Sequence, residues 1–303
     1  MAILPHPRWP GCPPHSRPAE PRRRSALLLA AALLVACIRP GQAQPLPVHE
    51  RPVLKVLLVG NSLLYANNAP ALLRALAVSQ ADAPAIATTS YLAPGATLSE
   101  HLRRGALARA LAAGEWDALV VQERGGLLAC MADAGQRDAR PCRDSLSAHR
   151  RLLALARARG IRVILLGTWG PDAGWQARLD AGLDAIPCNQ GCERLYLGRW
   201  LRETARTLPQ LQPFENDAAL HPNMIGSLLI AARLYVALTA RALAGRTVEL
   251  RQPRLPATAS IDPERPLETQ FPPVPDAAPI VLSVPALAPL YQAVNAELAP
   301  SRR

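Results

Sequence analysis

The chain reads as an α/β protein, a three-layer α/β/α sandwich around a mainly parallel sheet of about five strands. Two patterns predict this. From residue 53 onward, short β-branched or aliphatic runs alternate with longer amphipathic stretches, as βαβ units require. The clearest run, Val53 to Gly60, is largely apolar, as befits a strand buried on both faces.

The elements follow in order. Residues 68 to 80 place Ala71, Leu72, Ala75 and Leu76 at helical spacing, and Ala85 to Leu92 return as a second strand. A helix from about Leu98 to Ala113 precedes a third strand, Trp116 to Gln122, and a helix over Leu146 to Arg159 leads to a fourth, Arg162 to Trp169. A helix around Cys192 to Thr207 comes before Leu211 to Phe214, the candidate fifth strand, and Asn223 to Ala244 forms a long final helix. Right-handed crossovers place the loops after the strands along one edge, where open α/β sheets bind ligands. The loops at 125–145 and 170–191 read as irregular pocket walls. Beyond Gly245, prolines from Pro253 to Pro279 deny the chain regular structure, so a draped or disordered tail is expected, with a short helix near Leu287 to Leu298. The organisation is thus a leader and signal peptide over 1–43, a linker over 44–52, an α/β domain over 53–245 and a Pro-rich extension over 246–303. No internal repeat is visible.

With 303 residues, half of them hydrophobic, one core of ordinary domain size is expected. The 34 basic residues outnumber 23 acidic ones for a net charge of +11, but all except Lys55 are arginine, which reads first as a composition bias. No stretch interleaves arginines with aromatics as a nucleic-acid groove would, so nucleic acid is not an expected partner.

Residues 22 to 37 carry Arg22-Arg23-Arg24-Ser25 and an apolar run from Ala26 to Ala36, the n-region and h-region of a secretory signal, too short to span a bilayer. Two processing readings stay open. Leu34-Val35-Ala36-Cys37 resembles a lipobox, making Cys37 a candidate lipidation site and a lipid anchor the one expected membrane link; Gly41-Gln42-Ala43 before Gln44 resembles an ordinary cleavage site. A periplasmic or extracellular location follows from either. Cysteine use agrees, because the four that remain fall into two local pairs, Cys130 with Cys142 and Cys188 with Cys192, and an even count favours disulfides in an oxidising compartment. Their spacing matches no zinc frame, the 6 histidines are scattered, and no metal or other cofactor is expected. Phosphate-cradle patterns for a nucleotide or flavin are missing as well.

The chemistry points to strand ends. Gly60-Asn61-Ser62-Leu63 closes the first strand, so Ser62 stands on the ligand edge, although a helix N-cap is the plainer role for such a serine. The second strand ends in Ala93-Pro94-Gly95-Ala96, the third in Val120-Val121-Gln122-Glu123, and Asp217-Ala218-Ala219-Leu220-His221-Pro222 precedes the last helix.

In these four motifs the chain resembles the SGNH (GDSL-like) hydrolases over about residues 53 to 240, whose sheet is flavodoxin-like. The likeness is strongest in Val59 to Tyr65 with Asn67-Asn68-Ala69-Pro70, and in His221-Pro222-Asn223 with Gly226. The resemblance implies an esterase or deacylase in which Ser62 attacks an ester carbonyl, His221 takes its proton and a carboxylate orients the imidazole. It implies an oxyanion hole from the N–H groups of Ser62 and Gly95 and a third-block side-chain amide. Two departures stand out. The third-block asparagine is absent and Gln122 is the nearest amide, and the acid lies four residues before the histidine, at Asp217, instead of three. Glu215 as a substitute acid, or a Ser-His dyad aided by a backbone carbonyl, remain alternatives. The substrate class is an ester of a small molecule or of an extracellular carbohydrate; the rival reading is a catalytically weak carbohydrate- or partner-binding protein of the same fold.

Other side chains have two roles each. His101 reads as a surface or capping histidine, His149 as solvated, Glu123 and Arg124 as pocket residues or a strand-end ion pair, and Trp169 as a pocket wall or a core residue.

Overall fold

The computed structural model describes residues 51–188 and 191–298. The leader, the linker residues before Arg51 and Cys37 lie outside the described residues. Five strands, β1 (Val53–Gly60), β2 (Ala85–Leu92), β3 (Ala118–Gln122), β4 (Arg162–Leu166) and β5 (Cys192–Leu195), form one parallel sheet in the order β2-β1-β3-β4-β5. Alternation along the strands builds two cores. Val56, Leu58, Val120, Ile164 and Leu166 face one layer; Leu57, Val59, Leu119, Val121, Val163 and Leu165 face the other. This is the three-layer sandwich that the sequence predicts.

Eleven helices are described. They are α1 (Ser62–Tyr65), α2 (Ala69–Ser79), α3 (Leu98–Arg104), α4 (Ala106–Ala113), α5 (Ala129–Ala132), α6 (Arg140–Arg157), α7 (Ala173–Asp184), α8 (Leu197–Thr207), α9 (Met224–Thr239), α10 (Leu267–Gln270) and α11 (Val284–Asn295). Helices α2, α8, α9 and α11 contribute to the first core, and α3 to α7 to the second. Local chemistry sets several boundaries that the periodicity alone misplaces. Gly105, at φ +84°, breaks the expected Leu98–Ala113 helix into α3 and α4. Pro141, at ease in a first turn, lets α6 start six residues ahead of Leu146. Asp172 caps α7 by accepting from the Trp175 N–H at 2.8 Å, in a stretch expected to be irregular.

The fifth strand is a correction. Leu211 to Phe214 does not join the sheet, because Pro213 has no N–H to give; Phe214 forms one isolated bridge to Pro222. The strand is Cys192–Leu195, an edge strand of mixed polarity that pairs with β4 through its backbone and carries no apolar run to announce it.

The Pro-rich tail is the second correction. The expected short terminal helix is present as α11, but the tail also holds α10 and an antiparallel pair, β6 (Val248–Leu250) and β7 (Ile280–Leu282), and it buries Leu255, Ile261, Leu267, Leu287, Leu290, Tyr291 and Val294 in the first core. Prolines keep residues 251–266 and 271–279 irregular, yet their fixed φ also lowers the entropy lost when such a path is ordered. The tail covers the open edge of β2. Glu268 accepts from the Ser90 N–H at 2.8 Å, the Ser90 hydroxyl at 2.7 Å and the Thr88 hydroxyl at 2.6 Å, and pairs with Arg74 at 3.3 Å. It thereby occupies a sheet edge that would otherwise be free to pair with another chain.

Both expected cysteine pairs are disulfide-bonded, Cys130 to Cys142 and Cys188 to Cys192. Among the described residues no helix is long and apolar enough to cross a membrane, and no group of three or more His, Cys, Asp or Glu side chains is placed to hold a metal.

His149 is buried on α6, not solvated, and its Nδ1 donates to the Ser145 carbonyl at 2.9 Å. Burial pushes its pKa down, more strongly than nearby Glu123 and that hydrogen bond push it up. His101, buried on α3, is lowered for the same first reason. A histidine kept neutral in the fold binds fewer protons than in the unfolded chain once pH drops below its ordinary value of 6.5.

Two outcomes follow from this packing. Glu268→Ala should lower stability by about 2–3 kcal/mol, since it strands the Ser90 N–H and leaves Arg74 with the Thr88 hydroxyl but no counter-charge; a shift in the urea midpoint at constant slope measures it, and an unchanged midpoint would refute the edge-capping role. Stability should also fall as pH drops from about 6.5, by up to about 1.4 kcal/mol per pH unit per buried histidine. His149→Gln should flatten that decline, and urea midpoints at pH 7.5, 6 and 5 for both proteins test it: parallel profiles would exclude the contribution.

Candidate active site

The chain leaves β1 on one side to form β2 and comes back on the other side to form β3, so the carboxyl ends of β1 and β3 flank a switch point, the usual ligand crevice of an open α/β sheet. Gly60 sits there under the Gln122 side chain. A Cβ on Gly60 would collide with the Gln122 amide, so only glycine allows the approach. The Gln122 Oε1 then accepts from the Asn61 N–H at 3.0 Å. The Asn61 side chain caps α1 by accepting from the Leu63 N–H at 3.1 Å and donates to the Ala96 carbonyl at 3.1 Å, tying the Ser62 turn to the loop after β2. Ser62 therefore opens a helix but is not its cap; Asn61 is.

The other half of the site is the turn before α9. Leu220, at φ +50°, lies in the left-handed region, and its N–H donates to the Asp217 carbonyl at 3.1 Å. That tight turn absorbs the extra residue between acid and histidine. Asp217 Oδ1 accepts from the His221 N–H at 3.0 Å and Oδ2 lies 2.7 Å from His221 Nδ1, while His221 Nε2 lies 3.0 Å from the Ser62 hydroxyl. A carboxylate can only accept, so Nδ1 carries the proton and Nε2 is the acceptor for Ser62. Burial raises the Asp217 pKa, but the ring and backbone hydrogen bonds from His221 and its charge outweigh that and leave it below the ordinary value. Glu215 uses its backbone N–H on the His221 carbonyl at 2.7 Å, and its side chain does not meet the imidazole.

Trp169 pins the strained turn by donating from Nε1 to the Leu220 carbonyl at 2.7 Å, with its ring 5.5 Å from Phe214. Asn67 donates to the Pro222 carbonyl at 3.0 Å and to the Ser227 hydroxyl at 3.1 Å, and its own carbonyl accepts from Arg254 of the tail at 3.0 Å.

A cavity of about 650 Å³ opens above Ser62 and His221. Pro94 and Gly95 form one side, Arg124 to Gly126 the next, Trp169 to Pro171 and Trp175 a third, and Ala257 and Thr258 of the tail a fourth. Gly95, at φ +60°, follows Pro94 in a turn closed by the Ala96 N–H on the Ala93 carbonyl at 3.2 Å. Among the described residues the N–H groups of Ser62 and Gly95 make no hydrogen bond.

Three expected roles change. Gln122 does not line the cavity: its Oε1 holds Asn61 and its Nε2 donates to the Glu123 carbonyl, so the longer amide is folded back into the scaffold. Glu123 is no surface ion pair. It is buried and accepts from the Arg124 N–H at 2.8 Å, the Leu98 N–H at 3.3 Å and the Ser145 hydroxyl. His101 is neither a surface nor a capping residue; its Nε2 donates to the Gly60 carbonyl at 2.8 Å and braces the Ser62 turn from beneath. Trp169 is at once a core residue and a cavity wall.

Sequence reasoning missed the tail's part in this site, although Arg254 and the small residues Ala257 and Thr258 gave no local signal. It also missed Trp175, whose place on α7 was legible only through the Asp172 cap.

No protein-family model matches the chain, and no curated protein matches it. Solved structures do. A candidate SGNH hydrolase from Slackia heliotrinireducens is 24% identical, with 62% of this chain and 100% of that chain covered and a TM-score of 0.47. An acetylxylan esterase from Geobacillus stearothermophilus is 14% identical over 62% and 95% of the two chains, at 0.44. The psychrotrophic esterase EstA from a Pseudoalteromonas species is 18% identical over 58% and 91%, at 0.41. At this distance the functional case rests on the geometry of Ser62, His221 and Asp217.

Proposed function

We propose that this chain is a serine esterase of the SGNH type, with Ser62 as nucleophile, His221 as general base and Asp217 as the orienting carboxylate. One observation carries this: an unbroken hydrogen-bond path runs from Asp217 through both ring nitrogens of His221 to the Ser62 hydroxyl, at the floor of an open cavity. In that order the Ser62 oxygen attacks the ester carbonyl carbon while its proton moves to His221 Nε2, and Asp217 stabilises the imidazolium. The carbonyl oxygen becomes an oxyanion that accepts from the Ser62 and Gly95 N–H groups, both free to donate. Collapse expels the alcohol, which takes the proton from His221. Water then attacks the acyl-serine with His221 again as base, releasing the acid and restoring Ser62. Gln122 has no part, so the oxyanion relies on backbone donors.

An exported location is consistent with two disulfides and with the signal-like residues 22 to 37. Trp169 and Trp175 give the cavity an aromatic wall, which favours an acyl substituent on a carbohydrate as substrate.

A fluorophosphonate probe applied to protein starting at Gln44 should label Ser62, and Ser62→Ala should be silent; folded protein that stays unlabelled would overturn the esterase and favour the weak binding protein. In a p-nitrophenyl ester assay, Asp217→Asn should lower kcat by about 10³–10⁴-fold with the fold intact, because the imidazole loses its fixed tautomer. A fall of less than about threefold would remove Asp217 from the mechanism.

A further inference from the structure

We propose that the cavity takes esters bearing an anion, a carboxylate, phosphate or sulfate, and that the Arg124 guanidinium receives it; this rests on the esterase reading above. Arg124 and His221 are the ionisable side chains on the cavity wall, and no Asp or Glu lines it. Among the described residues the Arg124 side chain makes no ion pair and no hydrogen bond, yet its backbone is fixed: its N–H donates to buried Glu123 at 2.8 Å and its carbonyl accepts from the Leu127 N–H at 3.1 Å. An exposed guanidinium on a fixed backbone, with its planar fork unused, is suited to bidentate capture of a carboxylate or phosphate.

The surrounding charges point the same way. Arg178 lies over Trp175, 4.0 Å from its ring, and Arg202 donates to the Gly170 carbonyl at 2.9 Å, so two more guanidiniums border the wall made by Trp175 and Gly170. The nearby carboxylates keep their charge but do not line the cavity, and Glu100 lies close enough to Arg124 for the two charges to attract. Asp217 holds His221, Asp172 caps α7, and Glu100 accepts from the Thr97 N–H at 2.7 Å. The charge that faces the cavity itself is thus the Arg124 guanidinium, next to an apolar wall, which selects for an anionic substrate and against a cationic one.

Two matched pairs locate the anion. p-Nitrophenyl hemisuccinate against p-nitrophenyl acetate places it on the acyl side; an acetylated methyl glucuronoside against the acetylated methyl glucoside places it on the alcohol side. In at least one pair kcat/KM should favour the anion by roughly ten- to a hundredfold at low salt, as a charge-assisted contact gives. Arg124→Ala should bring that ratio to near one and Arg124→Glu below one; because each ratio is taken within one variant, partial misfolding cancels. Ratios near one for wild type in both pairs, or a preference that survives Arg124→Ala, would overturn the inference while leaving the esterase intact. Should no ester be turned over, calorimetric titration of Ser62→Ala with succinate and with glucuronate against glucose still decides it: anion binding that the added Arg124→Ala change abolishes supports the role, and no such binding refutes it.

Discussion

The close crossing of Gln122 over Gly60 fixes most of what surrounds Ser62. Parallel pairing holds β1 and β3 side by side, and because Gly60 has no Cβ the Gln122 amide can lie across it. From that contact the Asn61 N–H gains its acceptor, and the Asn61 side chain is left to join the turn to Ala96. His101 then closes the underside by holding the Gly60 carbonyl. These are buried polar contacts, each worth about 1 kcal/mol net when made but about 1–3 kcal/mol when one partner is lost, so the turn is held as a unit. The same constraint explains why the amide expected to serve the oxyanion is unavailable for it.

The histidine half is held by a different device. An acid four residues before its histidine meets the ring because Leu220 takes a left-handed conformation, which a bulky residue adopts only when its surroundings compel it. Trp169 supplies the compulsion from the loop after β4, and Asn67 anchors the following Pro222 from the segment after α1. Asp217 in turn spends both oxygens on His221, one on the backbone and one on the ring. Strain at one residue is thus offset by contacts from two distant parts of the chain.

The tail links these halves to the sheet edge. Arg254 bonds Asn67, Tyr65 donates its hydroxyl to the Ala257 carbonyl, and Glu268 seals β2. Burial lifts the Tyr65 phenol to about 12, so it remains a donor throughout the ordinary pH range. A segment poor in regular structure is in this way both a cavity wall and a cover for an exposed strand, which makes it part of the domain's core.

The sequence by itself determined the parallel sandwich, four of its five strands, both cysteine pairings, and the positions of Ser62, His221 and Asp217 at strand or helix ends. These are local matters: apolar periodicity, turn residues and spacing are written within a few residues of one another. Tertiary structure alone decided the rest. Cys192–Leu195 became a strand because β4 offered it a backbone edge, and His101, His149 and Glu123 became buried because helices from elsewhere close over them. Gln122 turned inward because Gly60 lay beneath it, and residues 253–258 reached the cavity through bonds to Asn67 and Tyr65 nearly two hundred positions away. Which partner a polar side chain finds depends on distances set by the packed fold, and no pattern along the chain encodes them.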